Sequence, residues 1–74
     1  MRIKVKKDTN KSRLIGYIII ALSKEEELEL TALGGAIPTL CSVIEFLHKT
    51  LGINYKLNLF RSNGCIGLKA RLRK

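Results

Sequence analysis

Arg2-Ile3-Lys4-Val5-Lys6 alternates polar and apolar residues. A period of two puts Ile3 and Val5 on one face of a short strand and three cations on the other. Asp8-Thr9-Asn10 then supplies turn and capping side chains, which predicts a helix from residue 10 or 11 to about Ser23. Its apolar positions cover most of the circumference, as in an element that is sandwiched or part of an interface. Ile18-Ile19-Ile20 would also suit a buried strand, but the apolar stretch is long for one and opens at a cap. Glu27-Leu28-Glu29-Leu30-Thr31-Ala32 alternates again and predicts a second strand with Leu28, Leu30 and Ala32 inward.

Gly34-Gly35 interrupts that pattern, and Pro38 stands where a first helical turn tolerates a missing N–H. Ile37, Leu40, Cys41, Ile44, Leu47, His48 and Leu51 form one stripe of a second helix that stops at Gly52. Cys41 is expected as a small buried hydrophobe and His48 as a structural residue of that apolar face. Val43 and Phe46 fall off the stripe and suggest a surface for a partner. With Phe60 they are the residues expected at a dimer interface. Ile53, Tyr55, Leu57 and Leu59 alternate through a third strand, and Ser62-Asn63-Gly64 carries hairpin chemistry. The fourth strand follows, with Ile66, Leu68, Ala70 and Leu72 inward and Lys69, Arg71 and Arg73 outward. The order β-α-β-α-β-β predicts a single α+β domain over residues 1–74: a two-layer sandwich, with two helices on one face of a four-stranded mixed sheet. The other face would be wet, with Arg2, Lys4, Lys6, Lys56, Lys69, Arg71 and Arg73 partly offset by Glu27 and Glu29.

Composition adds a charge asymmetry. The chain has 74 residues and a net charge of +8, and 46% of it is apolar, enough to fold rather than stay disordered. A domain this short buries only about 60% of its unfolded surface, so association is an expected supplement. Residues 1–13 hold six Lys and Arg against Asp8, and residues 51–74 hold six with no acid; the acidic residues otherwise lie between. Clustered cations draw polyanions and release their counterions. The apolar run Leu14–Leu22 is nine residues long, against the roughly twenty that a membrane-spanning helix needs. The chain reads as cytoplasmic.

Candidate chemistry points to binding rather than catalysis. His48 is the only imidazole, and Cys41 and Cys65 lack CxxC spacing, so no catalytic set is visible and no metal, disulfide or cofactor is required. Lys6, Lys7, Lys11, Ser12 and Arg13 bracket the first strand-to-helix loop, and Arg61, Ser62 and Asn63 form the hairpin tip. Long cationic side chains on such connections reach phosphates, and a protruding arm can enter a minor groove. Gly34 and Gly35 place backbone N–H groups at a helix N-terminus, where a phosphate can sit; tight-turn geometry explains them equally well. Tyr55 and Phe60 could stack on bases, although packing accounts for both.

Ala32-Leu33-Gly34-Gly35-Ala36-Ile37-Pro38-Thr39-Leu40-Cys41-Ser42-Val43-Ile44-Glu45 resembles the segment that follows strand two in the Alba family of archaeal chromatin proteins. There an Ala-x-Gly-x-Ala-Ile run opens the second helix and an acidic residue follows. Lys11-Ser12-Arg13-Leu14-Ile15-Gly16-Tyr17-Ile18 resembles the family's opening of helix one. The family's paired lysine is here Lys11 with Ser12, its two arginines around the central glycine are Leu33 and Gly35, and its long basic hairpin is reduced to Arg61-Ser62-Asn63-Gly64. The resemblance implies a dimeric, largely sequence-nonspecific DNA- or RNA-binding protein that applies the first loop and the hairpin to nucleic acid. The short first helix and Ala32–Ile37 also resemble stage V sporulation protein S, an Alba-like relative, which implies a regulatory or protein-interaction role as the alternative.

Overall fold

The computed structural model describes residues 1–73. Its elements are β1 (Arg2–Val5), α1 (Lys11–Lys24), β2 (Glu27–Leu33), a 3-10 turn (Gly34–Ala36), α2 (Ile37–Leu51), β3 (Asn54–Ser62) and β4 (Cys65–Arg73). This is the expected α+β order. The four strands form one mixed sheet in the order β1-β2-β4-β3, with β1 parallel to β2 and β4 antiparallel to both of its neighbours.

Local chemistry sets the element ends. Asn10 caps α1 by accepting a hydrogen bond from the Arg13 N–H at 3.1 Å, satisfying one of the donors that a helix start leaves open. α2 ends at Gly52, whose φ is 67° and whose N–H donates to the His48 carbonyl. Asn63 and Gly64 both have positive φ, 50° and 78°, and the pair Ser62↔Cys65 closes the hairpin around them. Two central residues with positive φ make a type I′ turn, which matches strand twist and which Asn-Gly supplies at little steric cost.

The core is made of inward strand positions and one stripe from each helix. β2 contributes Leu28, Leu30 and Ala32; β4 contributes Leu68, Ala70 and Leu72; α1 contributes Leu14, Ile18, Ala21 and Leu22; and α2 contributes Leu40, Val43, Ile44 and Leu47. Expectations change here at four residues. Val43 is fully buried, so it packs the core and presents nothing to a partner. It lies three residues after Leu40 and four before Leu47, and the stripe of α2 is rotated toward it. The same rotation exposes Cys41 and leaves Leu51 half-exposed. Ile66 is exposed too, although the alternation of β4 aims it inward.

The third strand departs furthest from the sequence reading. Tyr55, Leu57 and Leu59 pair with Leu72, Ala70 and Leu68 and so point to the helix side of the sheet, yet all three are exposed. β3 is an edge strand that the helices do not cover. On α1, Tyr17, Ile19 and Ile20 likewise remain exposed, which gives that helix one buried face rather than a sandwiched one.

On the opposite face of the sheet, Phe60 lies across Gly67. A Cβ at residue 67 would fall 2.4 Å from the Phe60 Cζ, so a side chain there has no room unless the ring moves. Gly67→Ala is therefore expected to destabilise the fold by about 1–3 kcal/mol through overpacking, and Phe60→Ala in the same chain should recover part of the loss in urea denaturation. Leu40→Ala should cost about 2–5 kcal/mol, whereas Phe46→Ser, on the outer side of α2, should stay within about 1 kcal/mol. Equal costs for the two would contradict the burial of one face of α2 and the exposure of the other.

Candidate nucleic-acid interface

The topology gathers three connections at one end of the sheet. β1 and β2 are parallel, so their C-terminal ends lie together, and each leads to the start of a helix. The antiparallel β4 meets that end with its N-terminal half, where Leu33 pairs with Gly67. The β3–β4 turn therefore projects from the same end. Lys6, Lys7, Lys11, Ser12 and Arg13, the Gly34-Gly35 pair, and Arg61 with Asn63 are all placed there. A Cβ at Gly35 would lie 3.6 Å from Lys7 Cδ, which puts the first loop directly against the 3-10 turn.

The first loop is built by its own side chains. The Lys6 N–H donates to Thr9 Oγ1 at 2.8 Å and the Thr9 N–H donates to the Lys6 carbonyl at 3.1 Å. This reciprocal pair closes a tight turn with Lys7 and Asp8 at its corner. The first turn of α1 then carries Lys11 and Arg13 and no acid. Cations beside the positive end of a helix dipole are unfavourable by about 0.3–1 kcal/mol each, a cost that a bound anion would offset. α2 likewise has no acid in its first turn and no side-chain cap, so the N–H groups of its approach stay available beside the exposed Gly34 and Gly35.

Apart from Asp8, the carboxylates lie elsewhere. Glu29, only 15% exposed, sits on the polar sheet face with Arg2 Nε at 2.6 Å, Arg71 Nε at 3.8 Å and Lys69 Nζ at 4.0 Å. The contact with Arg2 is an ion pair without hydrogen-bond alignment. Glu27 adds a further pair to Arg71 at 3.9 Å. Glu45 accepts a 2.8 Å hydrogen bond from Lys49. That bond, with the attraction between the charges, holds the Glu45 carboxyl below its ordinary range and the Lys49 ammonium above its own. Among the described residues, Lys6, Lys7, Lys11, Arg13 and Arg61 enter no ion pair, and all five are exposed. Among the described residues, the polar sheet face also keeps Lys4, Lys56 and Arg73 without such partners, but its centre is partly neutralised.

The three residues expected at a dimer interface do not form one patch. Val43 is in the core, Phe46 lies on the outer side of α2 beside Ser42 and Lys49, and Phe60 is on the polar sheet face, 5.8 Å below the Lys69 ammonium. A different apolar strip joins α2 to the uncovered edge: Cys41, Ile44 and His48 beside Tyr55 and Leu57. His48 Nδ1 donates to the Ile53 carbonyl at 3.0 Å, and its ring meets Tyr55 edge-on at 5.2 Å, tying the end of α2 to the start of β3. The sequence hides this strip because alternation tells which residues share a face, not whether anything covers it. No three His, Cys, Asp or Glu side chains among the described residues gather as a metal set would need. No helix among them is long and apolar enough to cross a membrane.

Two comparisons with known proteins bear on this arrangement. A search of curated proteins returns no match. The Alba family model matches residues 2–63, which spans both helices and the strands from β1 through β3 to the hairpin turn. Alba is in general a family of nucleic-acid-binding, oligomerising proteins without enzymatic activity. With most of its length matched and the expected four-stranded, two-helix architecture in place, the chain belongs to the Alba family.

Proposed function

We propose that this protein is a cytoplasmic, nonenzymatic, sequence-nonspecific DNA- or RNA-binding protein that acts as a homodimer. The observation that carries the reading is the gathering of Lys6, Lys7, Lys11, Arg13 and Arg61 at one end, exposed and without carboxylate partners. Phosphate is the ligand that suits them. Phosphate contacts fix register and orientation without reading sequence. Both helices lie against the sheet and offer only their N-termini to this end, so neither presents a side suited to reading base edges in a major groove. Ser12, Asn63 and the N–H groups of Gly34 and Gly35 add neutral donors beside the cations.

A second copy is the proposed cover of the strip formed by Tyr55, Leu57, Cys41 and His48. That strip flanks an edge strand whose outer backbone groups have no partner in the sheet, a surface that soluble proteins otherwise pair or protect. Its use as a two-fold interface places a cationic end on each copy and doubles the phosphate contacts. The area it buries supplements a small core.

Binding to random-sequence duplex DNA should weaken steeply with salt. Five phosphates neutralised per chain, ten per dimer, correspond to a slope of log K against log salt of about −9. That slope is a loss on the order of 10⁵-fold between 50 and 200 mM salt. A flat profile in fluorescence anisotropy, or no binding at low salt, would remove the reading. Lys11→Glu with Arg13→Glu, present in both copies, should lower the slope by about four and leave the circular dichroism spectrum unchanged; retained affinity would take the first loop out of the site. In sedimentation velocity, Leu57→Glu should convert a dimer to a monomer, and a variant that sediments like the parent would place the interface elsewhere.

A further inference from the structure

The β3–β4 hairpin runs beyond the rest of the sheet. Leu33↔Gly67 is the last pair that β2 makes with β4. Past it, Ile66 pairs only with Arg61 and Cys65 only with Ser62, before the Asn63-Gly64 turn. At about 3.4 Å per residue the projection is on the order of 10 Å. Two large apolar side chains stand on it: Ile66 is 50% exposed, and Leu59, one step back on β3, is 73% exposed. Arg61 shares their face of the ribbon, and the three border one shallow depression with Phe60.

Duplex DNA gives an isoleucine at that tip a use. The minor groove of B-DNA is about 6 Å wide. A two-stranded ribbon has its strands about 4.8 Å apart before side chains are added, so this tip enters the groove only if the groove opens. Apolar wedges open it: an inserted Leu or Ile partly unstacks a base step and kinks the duplex toward the major groove. Ile66 suits the task because β-branching holds its side chain in few rotamers. The unpaired Arg61 guanidinium beside it meets the negative potential of the groove and its phosphates.

We infer that Ile66, flanked by Leu59, is a wedge that partly unstacks one base step while Arg61 neutralises the adjoining backbone, so that binding bends the duplex. The inference rests on the nucleic-acid reading proposed above, takes duplex DNA as the ligand and adds a distortion to it. It also predicts a preference without base contacts, because pyrimidine–purine steps such as TA unstack most easily.

The test uses the full chain and a duplex of roughly 20–30 base pairs carrying 2-aminopurine beside a central TA step and an energy-transfer pair at its ends. The wild-type protein should raise 2-aminopurine fluorescence and bring the ends closer. Ile66→Ser and Ile66→Thr should abolish both signals while the salt slope stays unchanged and affinity falls by less than about tenfold, since no phosphate contact is lost. Ile66→Leu should retain both signals. Two serine and threonine variants guard against a folding defect in either, checked by circular dichroism. Wild-type binding without either optical change overturns the wedge and leaves the phosphate reading standing. Undiminished bending by the two polar variants overturns it as well, and so does a change in their sedimentation, which would show that a second copy covers Ile66. No binding at low salt overturns the nucleic-acid reading and the wedge together.

Discussion

β4 lies between β2 and β3, antiparallel to both, with Leu68, Ala70 and Leu72 buried in the core. Its register carries the rest of the molecule. Pairing Leu30 with Ala70 and Leu33 with Gly67 sets the inward positions of β2 against those of β4 and fixes how far the hairpin extends past the sheet. A slip of one residue would turn Leu68, Ala70 and Leu72 to water and bring Lys69 and Arg71 into the core, so the register is strongly specified. The same pairing brings the hairpin tip to the end where β1 and β2 hand over to their helices. The cationic end is thus a consequence of strand order, with each contributing segment anchored to a buried strand.

Electrostatics divides the surface in two. Glu27 and Glu29 are held on the polar sheet face, where register places Arg2 and Arg71 across from Glu29 and Arg73 across from Glu27. Each exposed pair is worth little in stability. With Glu27 and Glu29 engaged on the sheet face, Asp8 is the one carboxylate that shares the first loop with its cations. A net charge of +8 is consequently felt most at the loops and the hairpin.

Much of the architecture was legible in the chain. Alternation located all four strands, the Asn10 cap and Gly52 bounded the helices, and Asn63-Gly64 announced the turn, because each of these signals acts over a few residues. The cations of the first loop and the hairpin were legible as candidates for the same reason. The burial of Val43, the exposure of Cys41 and the separation of Phe46 from Phe60 were not. Helical periodicity gives the width of an apolar stripe, and the packing partner selects which edge of it is covered.

The sequence by itself determined the element order, the two-faced strands and the excess of cations near both ends, since these follow from local sterics, hydrophobic spacing and ionisation. Only the tertiary structure decided that β4 would separate β2 from β3, that β3 would be an uncovered edge with Tyr55, Leu57 and Leu59 facing outward, and that three distant connections would share one end. Strand order depends on long-range pairing, in which one buried surface competes with another, and no short window of sequence contains that competition.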